Sequence, residues 1–177
     1  MVELSNQPYT IKMTGEVVPS EIDLRRYIDL SWCNGVIFNA IVVQQGQTLL
    51  EYDAVLWDQS RVLFVEYKKT VNAYRNMSAK RINQVKSISQ IVARRLGFPR
   101  YQYVIVVRGI TDVIDHGGVT VVGLSVLEGF RPEFETSKVE LAYIERQIVR
   151  LERDGKQRAT LDELRKIRDM MLQWEGE

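Results

Sequence analysis

Three residues whose types can do chemistry together lie close in the chain: Asp53, Glu66 and Lys68. They belong to EYDAVLWDQSRVLFVEYKK, residues 51–69, which reads as two β-strands joined by a tight turn at Asp58-Gln59-Ser60. Side chains two apart on a strand share a face, so Glu66 and Lys68 project together and Tyr67 projects the other way. If the chain reverses at that turn, the antiparallel partner of Glu66 falls near Asp53. Two carboxylates and a lysine then converge on a sheet otherwise built of Val, Leu and Phe. Charge is costly to place among such neighbours without compensation. The same set is what a divalent cation and a water nucleophile need: hard oxygen ligands, beside a compact cation whose pKa responds to confinement.

The flanking sequence predicts the elements that must position this set. Val2-Glu3-Leu4 and Tyr9-Thr10-Ile11 read as short edge strands. Ser20 as N-cap, with Glu21 and Asp23 in the first turn, starts a helix expected to run to Leu30 or Trp32. Val36–Val43, Thr48–Trp57 and Arg61–Lys69 read as a three-stranded antiparallel meander, largely apolar on both faces and therefore covered by helices. After a connection over Val71–Met77, Ser78 caps a helix from Ala79 to Leu96 with an apolar stripe of Ile82, Val85, Val92 and Leu96, interrupted at Ser89 with Ile88 beside it, and ended by Gly97 and Pro99. Tyr101–Arg108 reads as a buried strand, Asp115–Gly118 as a turn or loop holding His116, and Val119–Val126 as another strand. A strand that follows a crossover helix lies parallel to an earlier one, so the sheet is expected to be mixed. Gly129–Ser137 reads as a linker. Helices over 138–153 and 160–174, the second opened by a Thr160/Glu163 capping box, form a C-terminal hairpin. The fold class expected is α/β: a mixed sheet flanked by helices over residues 1–130, with the helical hairpin over 131–177.

Composition bounds the rest. The chain has 177 residues, 45% hydrophobic and 27% charged, which fits a soluble globular protein with a sizeable core. One cysteine, Cys33, permits no internal disulfide and no cysteine-rich zinc site, and a buried thiol is expected. No signal peptide or membrane-length apolar run is read, so a cytoplasmic location without membrane association is expected. Net charge is +1, but residues 61–108 hold eleven basic residues and one acid, Glu66, leaving −9 for the remainder. Such asymmetry points to a polyanion-facing surface, the plainer alternative being a solvated helix face. No phosphate-cradling G-x-x-x-x-G-K-[ST] loop is present. Tyr67, Tyr74, Tyr101 and Tyr103 are candidates for base stacking, with packing the commoner use of aromatics in strands. His116 reads as a loop residue rather than a ligand or base.

Asp53 on one strand, followed by Glu66-Tyr67-Lys68 on the next, resembles the motif of the PD-(D/E)XK nucleases, the restriction-endonuclease-like superfamily. The order of elements over about residues 19–125 is similar too: a helix carrying a glutamate, a three-stranded meander, a helix and a further strand. Glu51-Tyr52-Asp53 is similar to subfamilies with an acid-any-Asp pattern on that strand. No proline precedes Asp53, and the hairpin beyond 137 lies outside the resemblance.

The resemblance implies metal-dependent hydrolysis of phosphodiester bonds, most readily in DNA rather than RNA. It implies Mg²⁺, with Mn²⁺ able to substitute, held by Asp53, Glu66 and the backbone carbonyl of Tyr67. Glu21 matches a further metal-linked glutamate, with Glu16 as its rival and a helix-dipole role as the plainer alternative. Lys68 would orient or deprotonate the attacking water or stabilise the developing charge. Glu51 and Gln84 match auxiliary positions near such a site. Lys69, Arg75, Lys80, Arg81 and Lys86 fit a phosphate-backbone footprint, and a homodimer is expected because two strands call for two sites. The alternative is a non-catalytic nucleic-acid-binding subunit with the same fold.

Overall fold

A computed structural model describes residues 10–13, 21–44, 46–138, 141–155 and 158–174 of the chain. Val2–Leu4, Tyr9, Glu16 and Ser20 lie outside them. The described residues form two compact units, 10–137 and 138–174.

The first unit is a mixed eight-stranded sheet. Its strands are β1 (Thr10–Met13), β2 (Gly35–Gln44), β3 (Gln47–Trp57), β4 (Arg61–Lys68), β5 (Arg100–Val107), β6 (Val113–His116), β7 (Val119–Gly123) and β8 (Glu135–Thr136). The spatial order is β1-β2-β3-β4-β5-β7-β6, with β8 also pairing with β5. β1 to β4 run antiparallel in sequence order, whereas β5 lies parallel to β4, and β7 parallel to β5. The parallel step follows from the helix between β4 and β5, since a crossover of that length returns the chain to the starting end of the sheet.

Local chemistry explains the turns. Asp58 closes the β3–β4 hairpin: its Oδ1 accepts the Ser60 and Arg61 amides at 2.9 and 2.7 Å, and its other oxygen holds the Arg61 guanidinium. Helix α1 spans Ile22–Tyr27, shorter than the sequence suggested. Ile28 turns to extended backbone, and Asp29 Oδ1 accepts the Ser31 amide, which gives the chain an alternative to another helical turn. The connection over 71–77 contains a short helix α2 (Val71–Arg75), its N-cap Thr70 accepting the Ala73 amide. Ser78 caps α3 (Ala79–Arg95) as expected, accepting the Arg81 amide at 3.1 Å.

Two corrections concern the stretch after β5. His116 is not in a loop but ends β6, and the reversal into β7 is made by Gly117 and Gly118 alone, with φ of 60° and 85°. Positive φ at both central residues is the hairpin geometry that matches strand twist. β7 then ends at Gly123 rather than Val126, and the chain enters a 3-10 segment, Leu124–Gly129.

Each face of the sheet has its own cover. Leu24 of α1, Ile28 just after it, and Leu124 and Leu127 of the 3-10 segment pack with Ala54, Leu56, Leu63, Val65, Tyr67, Val104, Val106 and Val122. On the other face α3 buries Ile82, Val85, Ile88, Ser89, Val92 and Ala93. Among the described residues no helix is long and apolar enough to cross a membrane.

The first unit extends to Ser137. β8 pairs with the start of β5, Ser137 N donates to Pro99 O at 2.9 Å, and its hydroxyl donates to Phe98 O at 2.6 Å. The second unit is a helical hairpin, α4 (Leu141–Asp154) and α5 (Arg158–Trp174). Ile144 and Ile148 pack against Leu161, Leu164 and Ile167, an apolar seam at helical spacing. α5 begins before Thr160, which therefore lies inside its first turn rather than at its cap.

Candidate active site

The β3–β4 ladder pairs Trp57 with Val62 and runs through Leu56↔Leu63 and Val55↔Phe64 to Ala54↔Val65. One further step would set Asp53 against Glu66, but the pairing stops there. Beyond it, the Asp53 carboxylate takes the place of a backbone carbonyl: its Oδ2 accepts the Tyr67 amide at 2.5 Å.

The sheet is irregular at this point on both sides of Asp53. Across β2 the register passes from Phe38↔Ala54 to Ala40↔Tyr52, so Asn39 is the residue facing Asp53. Asn39 has φ of 54°, the one positive value among described non-glycine residues; asparagine tolerates this region better than most side chains. Alternation also breaks here. Ala54 packs on the α1 face, and strict alternation would put Tyr52 beside it. Instead Tyr52 lies against Phe64, 4.6 Å between ring centroids, and its hydroxyl meets Ser89 of α3 at 2.6 Å. Ser89 Oγ itself donates to Val85 O at 2.7 Å, so the Tyr52 hydroxyl is the donor in that pair.

Glu66 and Lys68 share a face of β4, as period two requires, and form an ion pair at 2.7 Å with both side chains partly buried. Glu66 also lies near the Tyr52 and Tyr103 hydroxyls, whose pKa values are driven well above the usual phenol range, first by burial and then by this carboxylate. Among the described residues Tyr103 Oη is buried without a hydrogen-bond partner.

Glu21, at the N-cap of α1, is brought to the same place. Its charge acts on the Asp53 carboxyl, and among the described residues its Oε2 is buried without a hydrogen-bond partner. Burial, then the charges of Glu66 and Glu21, push the Asp53 carboxyl up to about 7 against the Tyr67 amide bond, which acts the other way. Glu66 and Glu21 thus each act on Asp53, and Lys68 is the cation paired with Glu66. Glu66 is turned to Lys68 and Asp53 to the Tyr67 amide, and among the described residues no three His, Cys, Asp or Glu side chains are gathered as a ready-made metal-binding group.

The Tyr67 carbonyl is directed to the same strand edge. In an extended strand the amide and carbonyl of one residue point to one side, and the Tyr67 amide points at Asp53. Lys68 O points the other way, to the Arg108 amide at 2.9 Å.

The remaining candidates are not brought into this cluster by the contacts observed. Glu51 is exposed on β3 beyond the reach of β4, opposite Ile41. Gln84 is exposed on α3 and accepts from Arg81 at 3.4 Å. Lys69, Arg75, Lys80 and Arg81 are exposed, the last two in the first turn of α3, where no acid accompanies them. Lys86 is committed internally, to Gly118 O at 2.7 Å and Glu135 at 3.0 Å. Arg61 lies over the Trp32 and Phe134 rings as well as on Asp58. Part of the basic segment is therefore structural.

Tyr67, Tyr74, Tyr101 and Tyr103 are all buried, which assigns them to packing. Tyr74 also meets His116 Nδ1 at 2.5 Å, linking α2 to the sheet edge. Cys33 is partly buried, its thiol against Leu30 O at 3.4 Å. Asn39 and Arg108 both border this region without being read as site residues in the sequence. The only signal for the first was asparagine in the middle of an apolar strand.

Comparison with family models, with curated proteins and with solved structures finds no match to this chain.

Proposed function

We propose that the chain is a Mg²⁺-dependent nuclease of the PD-(D/E)XK, restriction-endonuclease-like kind, hydrolysing phosphodiester bonds in DNA. One observation carries the reading. Asp53 sits where the β3–β4 ladder stops, its carboxylate on the Tyr67 amide, against the acid-any-lysine run of β4. A cluster that charged and that irregular costs stability in the absence of a ligand, which is the usual signature of a site kept for function.

The donor chemistry fits a small hard cation. Asp53 and Glu66 supply carboxylate oxygens, the Tyr67 carbonyl points to the same edge, and Glu21 Oε2 is a buried oxygen lacking a partner among the described residues. These are the residues that would hold Mg²⁺ or Mn²⁺. Such an ion supplies Lewis-acid polarisation of the phosphoryl oxygen and a lower pKa for water. Lys68 is anchored by Glu66, so its ammonium is held at the cluster instead of ranging through solvent. It orients the attacking water and donates to the phosphoryl oxygen as charge builds. The reaction forms the bond from water oxygen to phosphorus and breaks that from phosphorus to the leaving sugar oxygen, which takes up a proton.

Polyanion binding has its own support. Lys80 and Arg81 stand at the positive end of the α3 dipole with no acid in the turn, an arrangement that costs stability and favours a bound phosphate. Lys69 and Arg75 extend the exposed basic surface. Pairing of two chains would present one site to each strand of a duplex.

Incubating purified protein with duplex, branched and single-stranded DNA and with RNA, in Mg²⁺, Mn²⁺ or EDTA, tests the proposal. Metal-dependent cleavage lost in Asp53→Ala and Lys68→Ala is the expected result. Salt-dependent binding with no cleavage of any substrate would reassign the chain as a non-catalytic nucleic-acid-binding subunit.

A further inference from the structure

The sheet of the first unit ends at β6, whose one partner strand is β7. The other edge of β6 is open to solvent. Residues 111–115 are all exposed, and the apolar side chains of Val113 and Ile114 are 49% and 40% so. Neighbouring residues on a strand face opposite sides, so this edge is apolar on both faces. Edge strands usually carry a lysine, a proline or a bulge that discourages pairing. β6 has no lysine or proline, and its register with β7 is unbroken. Its one carboxylate, on Asp115, accepts the Gly118 amide at 3.2 Å and is drawn into its own hairpin.

The hairpin fixes which main-chain groups point outward. The Gly123 amide donates to Asp112 O at 2.8 Å, one rung beyond the Val113↔Val122 pair. Bonding to a neighbour alternates along an antiparallel strand. Asp112, Ile114 and His116 therefore turn their amides and carbonyls to β7, and Val113 and Asp115 turn theirs to the open side.

A second copy of this edge complements the first. A two-fold axis between antiparallel strands sets one residue opposite itself and joins outward groups to outward groups. With the axis at Ile114, Val113 of each copy lies opposite Asp115 of the other, and each such pair exchanges two main-chain hydrogen bonds. Ile114 then meets Ile114, and Asp112 meets His116 at both ends. The neighbouring registers are poorer. An axis at Asp115 opposes like charges, and an axis at Val113 sets Asp112 against Ile114.

His116 is already oriented for such a contact. Its Nδ1 meets the Tyr74 hydroxyl at 2.5 Å, and the two rings pack edge to face, 5.7 Å between centroids. Its Nε2 has no partner among the described residues. In the Ile114-centred register, Asp112 and His116 form a pair without main-chain bonds, the kind whose side chains lie closest.

We propose that β6 is the edge through which two copies of this chain pair, antiparallel and symmetric about Ile114, so that one sheet continues into the next. This names a surface for the pairing that the nuclease reading expects, but it stands on the strand edge and is tested without cleavage. An edge of four residues makes a small interface, so the pairing is reversible.

Sedimentation velocity of the full chain over about 1 μM to 1 mM, the range in which small interfaces dissociate, is the first test. The parent should pass from monomer to dimer. Ile114→Lys sets two ammonium groups against each other at the axis and should stay monomeric throughout. Because Ile114 is exposed, this variant should melt within about 2 °C of the parent at low concentration. Crosslinking then reads the register. In a chain carrying Cys33→Ser, Ile114→Cys faces itself at a Cα separation that a disulfide accepts, about 4.4–6.8 Å, and mild oxidation should yield a covalent dimer. Val113→Cys and Asp115→Cys should each yield far less alone and recover the product when combined. A dimer unaffected by Ile114→Lys, or equal crosslinking at the three single positions, overturns the proposal. So does a parent that stays monomeric, which leaves the edge to a strand of another protein. A dimer through β6 that cleaves nothing in Mg²⁺ or Mn²⁺ leaves this pairing standing and removes the nuclease reading. Asp53-dependent cleavage by a chain that is monomeric throughout does the reverse.

Discussion

The Asp53 carboxylate accepts the Tyr67 amide at 2.5 Å, one position past the last rung of the β3–β4 ladder. A side chain here does the work of a backbone carbonyl, and the strands are free to part at the point where Glu66 follows. The relationship joins the first acid to the acid-any-lysine run by one bond and sets the terms for each expected outcome below.

Replacing Asp53 by Asn keeps an oxygen for the Tyr67 amide and removes the charge that burial, Glu66 and Glu21 oppose. Cleavage is expected to disappear. The metal-free protein should melt higher than the parent at pH 8, by about 2–4 °C for each kcal/mol of relief. Thermal melts in EDTA check this, and a lower melting temperature would show that the carboxylate is structural.

The raised pKa of Asp53 also fixes the sign of a pH effect. Its folded value of about 7 lies above the ordinary 3.8, so the folded state holds this proton more tightly than the unfolded state. That contribution to stability is full below about pH 4 and is lost as pH rises through 7. A bound cation offsets the loss, so the rise in melting temperature on adding Mg²⁺ should be larger at pH 8 than at pH 5.5. A pH-independent Mg²⁺ shift, or one lost in Lys68→Met but kept in Asp53→Asn, would contradict the assignment.

Lys68→Met is expected to lower cleavage by on the order of 10²-fold or more. It also leaves Glu66, 18% exposed, without its 2.7 Å partner, so some loss of stability accompanies it. Oligonucleotide affinity should change far less than turnover, which single-turnover kinetics against anisotropy will separate.

The buried Tyr52–Ser89 pair gives a stability test away from chemistry. Because Tyr52 is the donor, Ser89→Ala strands a buried hydroxyl and should cost roughly 1–3 kcal/mol. Tyr52→Phe leaves Ser89 bonded to Val85 O and should cost less, with the double variant close to Tyr52→Phe alone. Urea unfolding of the four proteins measures the cycle.

Residues 8–137 should form a folded unit by themselves, because β8 and Ser137 are bonded to the start of β5 and its approach. A chain ending at Pro132 would lose those bonds and be less stable. Sedimentation of the full chain and of 8–137 at two concentrations shows whether the hairpin carries association.

Much of the fold was legible because its signals are local. The Asp58 turn, the Ser78 cap and the alternation of β4 all follow from a few neighbouring residues. The losses were also local, but involved competing bonds. Asp29 caps the Ser31 amide and ends α1 early. Val113–His116 has little apolar patterning and is a strand because it pairs with β7 across Gly117-Gly118. The site was legible as a pattern of types: Asp53 by hairpin distance, Glu66 and Lys68 by period two.

The sequence by itself determined that Glu66 and Lys68 would share a face and that Asp53 would come near them, since strand period and turn length leave no other register. Only the tertiary structure decided how they meet. Asn39 in the left-handed region and Tyr52 drawn to α3 break the alternation at Asp53, and so its carboxylate turns to the Tyr67 amide rather than lining a regular face. Glu21 and Arg108 arrive from helix docking and a parallel pairing, which bring together residues far apart in the chain. No local pattern encodes those contacts, because they depend on which faces of separate elements are buried against one another.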